Sequence, residues 1–150
     1  MRNSKNRLRV AIYMRVAQKE QCEEAVTAMK SQETMLEQVT QNSGNVIVGC
    51  FEDYGSGIDY RRPGLCAALE MVKSGQADAL LMKNENRLGR NVSENLRLVA
   101  ALRKTGRRIF FAYNLICERV NERGVPASLV QHIYFFVYRE HRRAPVFRID

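Results

Sequence analysis

The segment VAIYMRVAQKEQ, residues 10–21, contains the most informative pattern in the chain. It begins as a run of apolar and β-branched side chains, which predicts a buried strand, and it then becomes polar. Side chains alternate along a strand, so Tyr13, Arg15 and Ala17 are expected on the same face. An arginine at the end of a buried strand needs an anionic partner.

The rest of the chain repeats this pattern of apolar strands separated by helical segments. The predicted strands are residues 9–16, 45–51, 78–83 and 107–113, and the predicted helices are residues 30–42, 63–73 and 92–104. Pro63 suits a first helical turn, and Gly75 and Gly106 suit helix ends. Alternating strands and helices predict an α/β fold with a mainly parallel central sheet of four or more strands, flanked by helices.

The C-terminal part has a different character. A proline and a serine precede a long aromatic segment, which predicts a long C-terminal helix over residues 125–141. This helix is apolar on several sides, so it requires either a deep position in the core or a second subunit against it. We therefore divide the chain into an α/β unit, residues 1–120, and an interface helix with its tail, residues 121–150.

Composition limits the classes of function. The 150 residues suit one globular domain, and no apolar run approaches the roughly 20 residues that span a bilayer, so we expect a cytoplasmic protein without membrane contact. The net charge of +8 favours a polyanionic partner such as nucleic acid. The four cysteines lack zinc or disulfide spacing, so we expect them to be reduced and mostly packing residues, and we expect no metal and no cofactor.

Chemically capable residues follow the predicted strands at the edge where parallel sheets bind ligands. Arg15, Ala17 and Gln21 follow the first strand, Asp53 and Ser56 follow the second, and Arg87 and Arg90 follow the third. Arg87 and Arg90 are three residues apart, which on a helical turn would place both guanidinium groups on one side to hold an oxyanion. The alternative is that these two arginines pair with nearby acids such as Glu85 and Glu94.

Three segments resemble a known family when taken together. YMRVAQKEQ (13–21), FEDYGSGIDYRRPGL (51–65) and KNENRLGRN (83–91) are similar in order and spacing to the catalytic domain of serine recombinases, the resolvase and invertase group. The resemblance covers about residues 8–113. Enzymes of this family cut DNA by attack of a serine hydroxyl on the phosphodiester, while arginines hold the phosphate.

The resemblance assigns roles residue by residue. Arg15, Arg87 and Arg90 correspond to the phosphate-clamping arginines, Gln21 and Gln32 to polar neighbours of the site, Asp53 and Ser56 to its supports, and Arg62 and Asn86 to DNA-facing positions. It further implies that the protein binds DNA and forms homo-dimers or tetramers.

Ala17 occupies the position of the nucleophilic serine. The resemblance implies descent from enzymes that exchange DNA strands. A methyl group cannot attack phosphorus, however, so we expect this chain not to cleave DNA. Gln18, Asn84 and Asn86 also depart from the family pattern. Whether the chain is an enzyme stays open at this point, and we expect no separate DNA-reading domain after the late helix.

Several interpretations of Ala17 remain. The chain could be a natural relative that regulates an active recombinase by binding DNA or by pairing with that enzyme. It could carry an engineered Ser-to-Ala substitution, which would not account for Gln18, Asn84 and Asn86. A substitute nucleophile would have to be Ser56, Tyr13 or Cys22.

A flavodoxin-like nucleotide binder shares the fold class, but the sequence has no phosphate-binding loop motif.

Overall fold

We describe residues 7–113 of the protein in a computed structural model. The strands are β1 (Arg9–Val16), β2 (Val46–Tyr54), β3 (Ala79–Met82) and β4 (Arg108–Phe111). The helices are α1 (Glu23–Asn42), α2 (Pro63–Lys73), α3 (Glu85–Leu88) and α4 (Val92–Lys104). The predicted α/β alternation is confirmed over these residues.

The strands form one parallel sheet in the order β2-β1-β3-β4. On one side of β1, Arg15 lies opposite Asp53 of β2, and on the other side Tyr13 lies opposite Met82 of β3. Because all strands run the same way, their carboxyl ends share one edge, which we call the carboxyl edge. The direction of strand addition reverses at β1, and a crevice for a ligand forms at such a reversal.

Strand β1 is the centre of two hydrophobic layers. Ala11 and Tyr13 face one layer, and Ile12 and Met14 face the other, as the alternation of side chains requires. All of these side chains are buried. Two-sided burial explains why the strand has a continuous apolar sequence instead of an alternating one.

Helices cover the two faces unequally. Helix α1 packs on one face through buried side chains at helical spacing, namely Ala25, Met29, Leu36 and Val39. Helices α2, α3 and α4 contribute to the other face, with Leu65, Leu69, Val72, Leu88, Val99 and Leu102. Each large apolar side chain buried in this way contributes roughly 1.5–3 kcal/mol, so packing outweighs helix propensity here.

The predicted helix ends agree with the structure at α2 and α4. Pro63 is the first residue of α2, where its missing N–H costs no helical hydrogen bond. Gly75 and Gly106 follow α2 and α4 with φ of 83° and 78°, a conformation that only glycine adopts without strain. These ends fix where the chain turns back into β3 and β4.

Three bounds differ from the prediction by more than one residue. Helix α1 begins at Glu23 and not at residue 30, because the buried Ala25 and Met29 continue its apolar stripe. The preceding Cys22 makes no side-chain cap hydrogen bond, so no capping signal marks this start. Strand β2 continues to Tyr54, and the fourth strand ends at Phe111.

Two of the cysteines are not packing residues. Cys50 and Cys66 are exposed and Cys22 is half-buried, and all three are free thiols. The expected packing role is therefore wrong for Cys50 and Cys66.

The predicted helix 125–141 and the proposed boundary at residue 120 lie outside the described residues. Within residues 7–113, no helix combines the length and the apolar character that crossing a bilayer would require.

Candidate functional site

Arg15 lies at the carboxyl edge and is almost wholly buried, with 2% of its surface exposed. Its Nη1 donates to the carbonyl of Gly55 at 2.8 Å and its Nη2 to the carbonyl of Asn86 at 2.6 Å. Its Nε is buried and has no partner among the described residues. No ion pair involves Arg15 within residues 7–113. The guanidinium is thus oriented by neutral carbonyls, and no carboxylate among the described residues pairs with its charge.

Gln32 holds the main chain of Arg15 from helix α1. Its Oε1 accepts from the Arg15 N–H at 3.3 Å, and its Nε2 donates to the Arg15 carbonyl at 3.0 Å. Gln32 is itself buried, so both ends of its amide are used inside the protein. It therefore orients Arg15 from behind.

A second buried network lies beneath the carboxyl edge. The Tyr13 hydroxyl donates to Oδ2 of Asp53 at 2.9 Å and accepts from Nη1 of Arg62 at 2.8 Å. Burial raises the pKa of Tyr13, so the phenol stays protonated. Asp53 also accepts from the backbone N–H groups of Gly64 and Leu65 at 2.9 and 2.8 Å. The carboxylate thereby connects β1, β2 and the start of α2.

Arg62 uses its guanidinium within the protein. Its Nε donates to the carbonyl of Asp59 at 2.7 Å and its Nη1 to the carbonyl of Arg87 at 3.0 Å. Its Nη2 donates to the carbonyl of Leu88. Arg62 is buried and lies over the Tyr13 ring, 5.7 Å from its centroid. In this conformation it supports the neighbouring loops from inside.

The chain between β3 and α4, residues 84–91, carries two more arginines, and we call it the arginine loop. Arg87 is half-buried, and its Nε is buried without a partner among the described residues. Burial lowers the pKa of Arg87. Arg90 and Asn86 are exposed. Helix α3 ends at Leu88, so the expectation that Arg87 and Arg90 share one helical face is wrong.

Arg90 nevertheless lies beside Arg15. The Arg90 N–H donates to the carbonyl of Gly57 at 3.0 Å. A Cβ on Gly57 would lie 2.8 Å from Nη2 of Arg15 and 3.3 Å from Cγ of Arg90. Gly57 is therefore the point where the side chains of Arg15 and Arg90 meet the chain between β2 and α2, and a larger residue would displace them.

Positive charge accumulates at this place. Burial lowers the pKa of Arg15, and the nearby charges of Arg62 and Arg87 lower it further. Arg90 acts in the same direction. The alternative that Arg87 and Arg90 pair with Glu85 and Glu94 is not what the structure shows, because the ion pair of Glu94 is with Arg97. An unneutralised group of guanidinium ions is suited to binding an oxyanion.

The remaining predicted residues lie at the rim. Ala17 follows the end of β1 and is exposed, and Gln21 is exposed shortly before α1. The Ser56 hydroxyl accepts from the N–H of Ile58 at 3.2 Å, a contact that shapes the turn.

Within residues 7–113, no cluster of three or more His, Cys, Asp or Glu side chains is arranged to hold a metal ion.

Sequence reasoning overlooked another polar group behind the arginine loop, made of Tyr60, Glu85 and Asn95. Asn95 is buried in α4 and donates to the carbonyl of Gly89 at 2.9 Å and to Oε1 of Glu85 at 3.3 Å. The Tyr60 hydroxyl lies 2.8 Å from Oδ1 of Asn95. The available signal was a polar residue at helical spacing from the buried Val99 and Leu102, but its partner Tyr60 is 35 positions away in sequence.

Comparison with known proteins agrees with this architecture. Residues 10–127 match the family model described as Resolvase, N terminal domain. The fold is similar to the N-terminal catalytic domain of TP901-1 integrase, with a TM-score of 0.64, 23% identity, and coverage of 89% of this chain and 93% of that one.

Two further solved structures share the fold. The C-terminal catalytic domain of ISC1926 TnpA, an IS607-like serine recombinase, matches with a TM-score of 0.63, 24% identity and 71% coverage of both chains. A resolvase family site-specific recombinase from Streptococcus pneumoniae matches with a TM-score of 0.59, 20% identity and 91% coverage of both chains. Because the family model covers most of the chain, this protein belongs to the family of the resolvase N-terminal domain.

Proposed function

We propose that this chain binds DNA by holding a backbone phosphate at Arg15, Arg87 and Arg90, and that it does not cut the strand it holds. The observation that carries the proposal is the buried, unpaired charge at the carboxyl edge. Arg15 and Arg87 each have a buried Nε without a partner among the described residues. A buried cation without a counter-charge is costly, and a phosphate bound at the rim above it would offset that cost by charge attraction.

The positions of the three arginines suggest different contributions. Arg90 is exposed and Arg87 is half-buried, so these two can reach a phosphate on the protein surface. Arg15 lies deeper and supplies positive potential from beneath them. The overall charge of +8 adds a long-range attraction for DNA.

The absence of cleavage follows from the side chains available near the site. Ala17 has no nucleophilic atom, and the serine attack of the family cannot start from it. Tyr13 is buried and its pKa is raised, so it does not supply a phenolate. The Ser56 oxygen accepts a hydrogen bond from the N–H of Ile58, which lowers its nucleophilicity. These observations support binding without covalent chemistry.

The first test measures DNA binding. Fluorescence anisotropy with a labelled duplex, over a series of salt concentrations, should show affinity that falls steeply as salt rises. Arg90→Ala should weaken binding and reduce the slope of log K against log salt by about one, because one phosphate contact is lost. Arg90 is exposed, so its replacement leaves the core intact.

Arg97→Ala is the matched control, because it removes the same charge from an exposed position on α4. It should leave the slope nearly unchanged. If Arg97→Ala and Arg90→Ala weaken binding equally, the attraction is diffuse and the phosphate site is not where we place it. If the unaltered protein ignores DNA at low salt, the proposal fails altogether.

A regulatory role is the second candidate, and the combination of an intact arginine group with Ala17 favours it. A chain that keeps the phosphate site and lacks the nucleophile would occupy recombination sites, or pair with an active recombinase, without completing the reaction. Light scattering on the purified chain would test the proposed dimer or tetramer. A monomer at all concentrations would exclude self-association.

A further inference from the structure

We propose that Tyr60, Asn95 and Glu85 are positioning residues that hold the arginine loop in the shape needed to present Arg87 and Arg90 to a phosphate. This inference rests on the proposed function and assigns a role to three side chains that do not themselves face the phosphate. Asn95 and Glu85 are buried and Tyr60 is half-buried, and the group is distinct from the network of Tyr13, Asp53 and Arg62.

Hydrogen bonds from this group reach the arginine loop at points on either side of both arginines. Asn95 donates to the carbonyl of Gly89, which lies between Arg87 and Arg90. Asn95 also donates to Glu85, which precedes Arg87. The backbone of Asn91, which follows Arg90, contacts Tyr60.

Tyr60 connects the arginine loop to the chain that precedes α2. Its hydroxyl accepts from the N–H of Asn91 at 3.1 Å and can donate to Oδ1 of Asn95 at 2.8 Å or to the carbonyl of Asn91 at 3.0 Å. Its ring lies directly on Gly89, where a Cβ would come 2.1 Å from Cζ of Tyr60. The loop therefore cannot move away from Tyr60 without breaking these contacts, nor closer without a collision.

The chemistry of this group is better suited to orientation than to stability. Asn95 and Glu85 are 2% and 5% exposed, and an amide opposite a carboxylate in such a place costs more than an apolar pair of similar volume. Directional hydrogen bonds, however, specify one geometry, whereas apolar contacts allow several. A loop that must hold two arginines toward one anion benefits from a single geometry.

Tyr60→Phe is the decisive variant, because it removes the hydroxyl and keeps the ring against Gly89. We expect its affinity for a labelled DNA duplex at low salt to fall about three- to tenfold, the effect of roughly one lost hydrogen bond on geometry. Tyr54→Phe is the matched control, since Tyr54 packs with the hydrophobic layer on the opposite face of the sheet. It should bind DNA as the unaltered protein does.

A second readout does not depend on DNA. In nitrogen-15-labelled full-length protein, Tyr60→Phe should shift or broaden the Nε–H resonances of Arg87 and Arg90, whereas Tyr54→Phe should not. A residue that only supports the fold would lower the unfolding temperature and leave both the affinity of the folded protein and these resonances unchanged.

The outcomes separate the two proposals. If DNA binding depends on Arg90 but is unaffected by Tyr60→Phe, the positioning role is wrong and the phosphate site stands. If the unaltered protein does not bind DNA, the proposed function fails, and the arginine resonances alone decide the positioning role. Unchanged resonances in Tyr60→Phe would then overturn it, and altered resonances would support it.

Discussion

Under the proposed function, Ala17 is the residue that decides whether this chain can cut DNA. It follows β1 two residues after Arg15 and is exposed, so a side chain there would meet the phosphate that we propose at this edge. We expect the unaltered protein to form no covalent adduct with DNA. Ala17→Ser should restore the nucleophile and produce an adduct that survives denaturing electrophoresis, on DNA that carries a site for an active relative.

Ala17→Val is the control for this experiment, because it changes the side chain and supplies no nucleophilic atom. An adduct formed by the unaltered protein would contradict the absence of cleavage. An adduct formed equally by Ala17→Val and Ala17→Ser would show that another residue attacks.

At the scale of single elements, helix α2 depends on Asp53, which is also a residue of the candidate site. Its N-cap residue, Arg62, makes no side-chain cap hydrogen bond. Asp53 of β2 caps the helix instead, because its carboxylate accepts from the N–H groups of Gly64 and Leu65. Asp53→Ala should therefore lower the free energy of unfolding by about 1–3 kcal/mol. Urea denaturation and faster amide exchange at Gly64 and Leu65 would measure this.

Asp59→Ala removes a carboxylate from the same part of the chain, but from a side chain that is 65% exposed. Its effect on the free energy of unfolding should be below about 0.5 kcal/mol. Equal effects of Asp53→Ala and Asp59→Ala would mean that the cap contributes little to the stability of α2.

For the whole molecule, an ion pair at the edge opposite the arginines joins the starts of β1 and β3. Both Oδ1 and Oδ2 of Asp78 accept from Arg9, at 2.9 and 2.8 Å. The hydrogen bond from the Arg9 side chain lowers the pKa of Asp78 below its ordinary value. A lowered pKa adds stability that is complete above the unfolded-state value of about 3.9 and is lost as the pH falls through the folded-state value.

Asp78→Asn should therefore be less stable than the unaltered protein at neutral pH. The difference should shrink as the pH falls below about 4, because protonation of Asp78 then favours unfolding, and it should vanish once the pH is below the lowered pKa of the folded state. Thermal unfolding at a series of pH values would measure this. A difference that is constant from neutral to acidic pH would show that the carboxylate charge is not responsible.

Much of this architecture could be predicted because its causes are local. The runs of apolar residues placed β1 and β3 within one residue of their observed bounds, and Pro63 and the terminal glycines placed α2 and α4. Parallel strands bring their carboxyl ends together by geometry alone, so Arg15 and Asp53 were expected at one edge. The start of α1 was not predicted, because no capping residue marks it.

The sequence by itself determined the order of strands and helices, the excess positive charge and the place of Ala17 after β1. Only the tertiary structure decided which side chains face each other across the edge. It turns Arg62 inward to the carbonyls of Asp59 and Arg87, and it places Arg90 beyond the end of α3. Periodicity reports burial over a few neighbouring residues, whereas these contacts join residues many positions apart, which only packing of the helices on the sheet brings together.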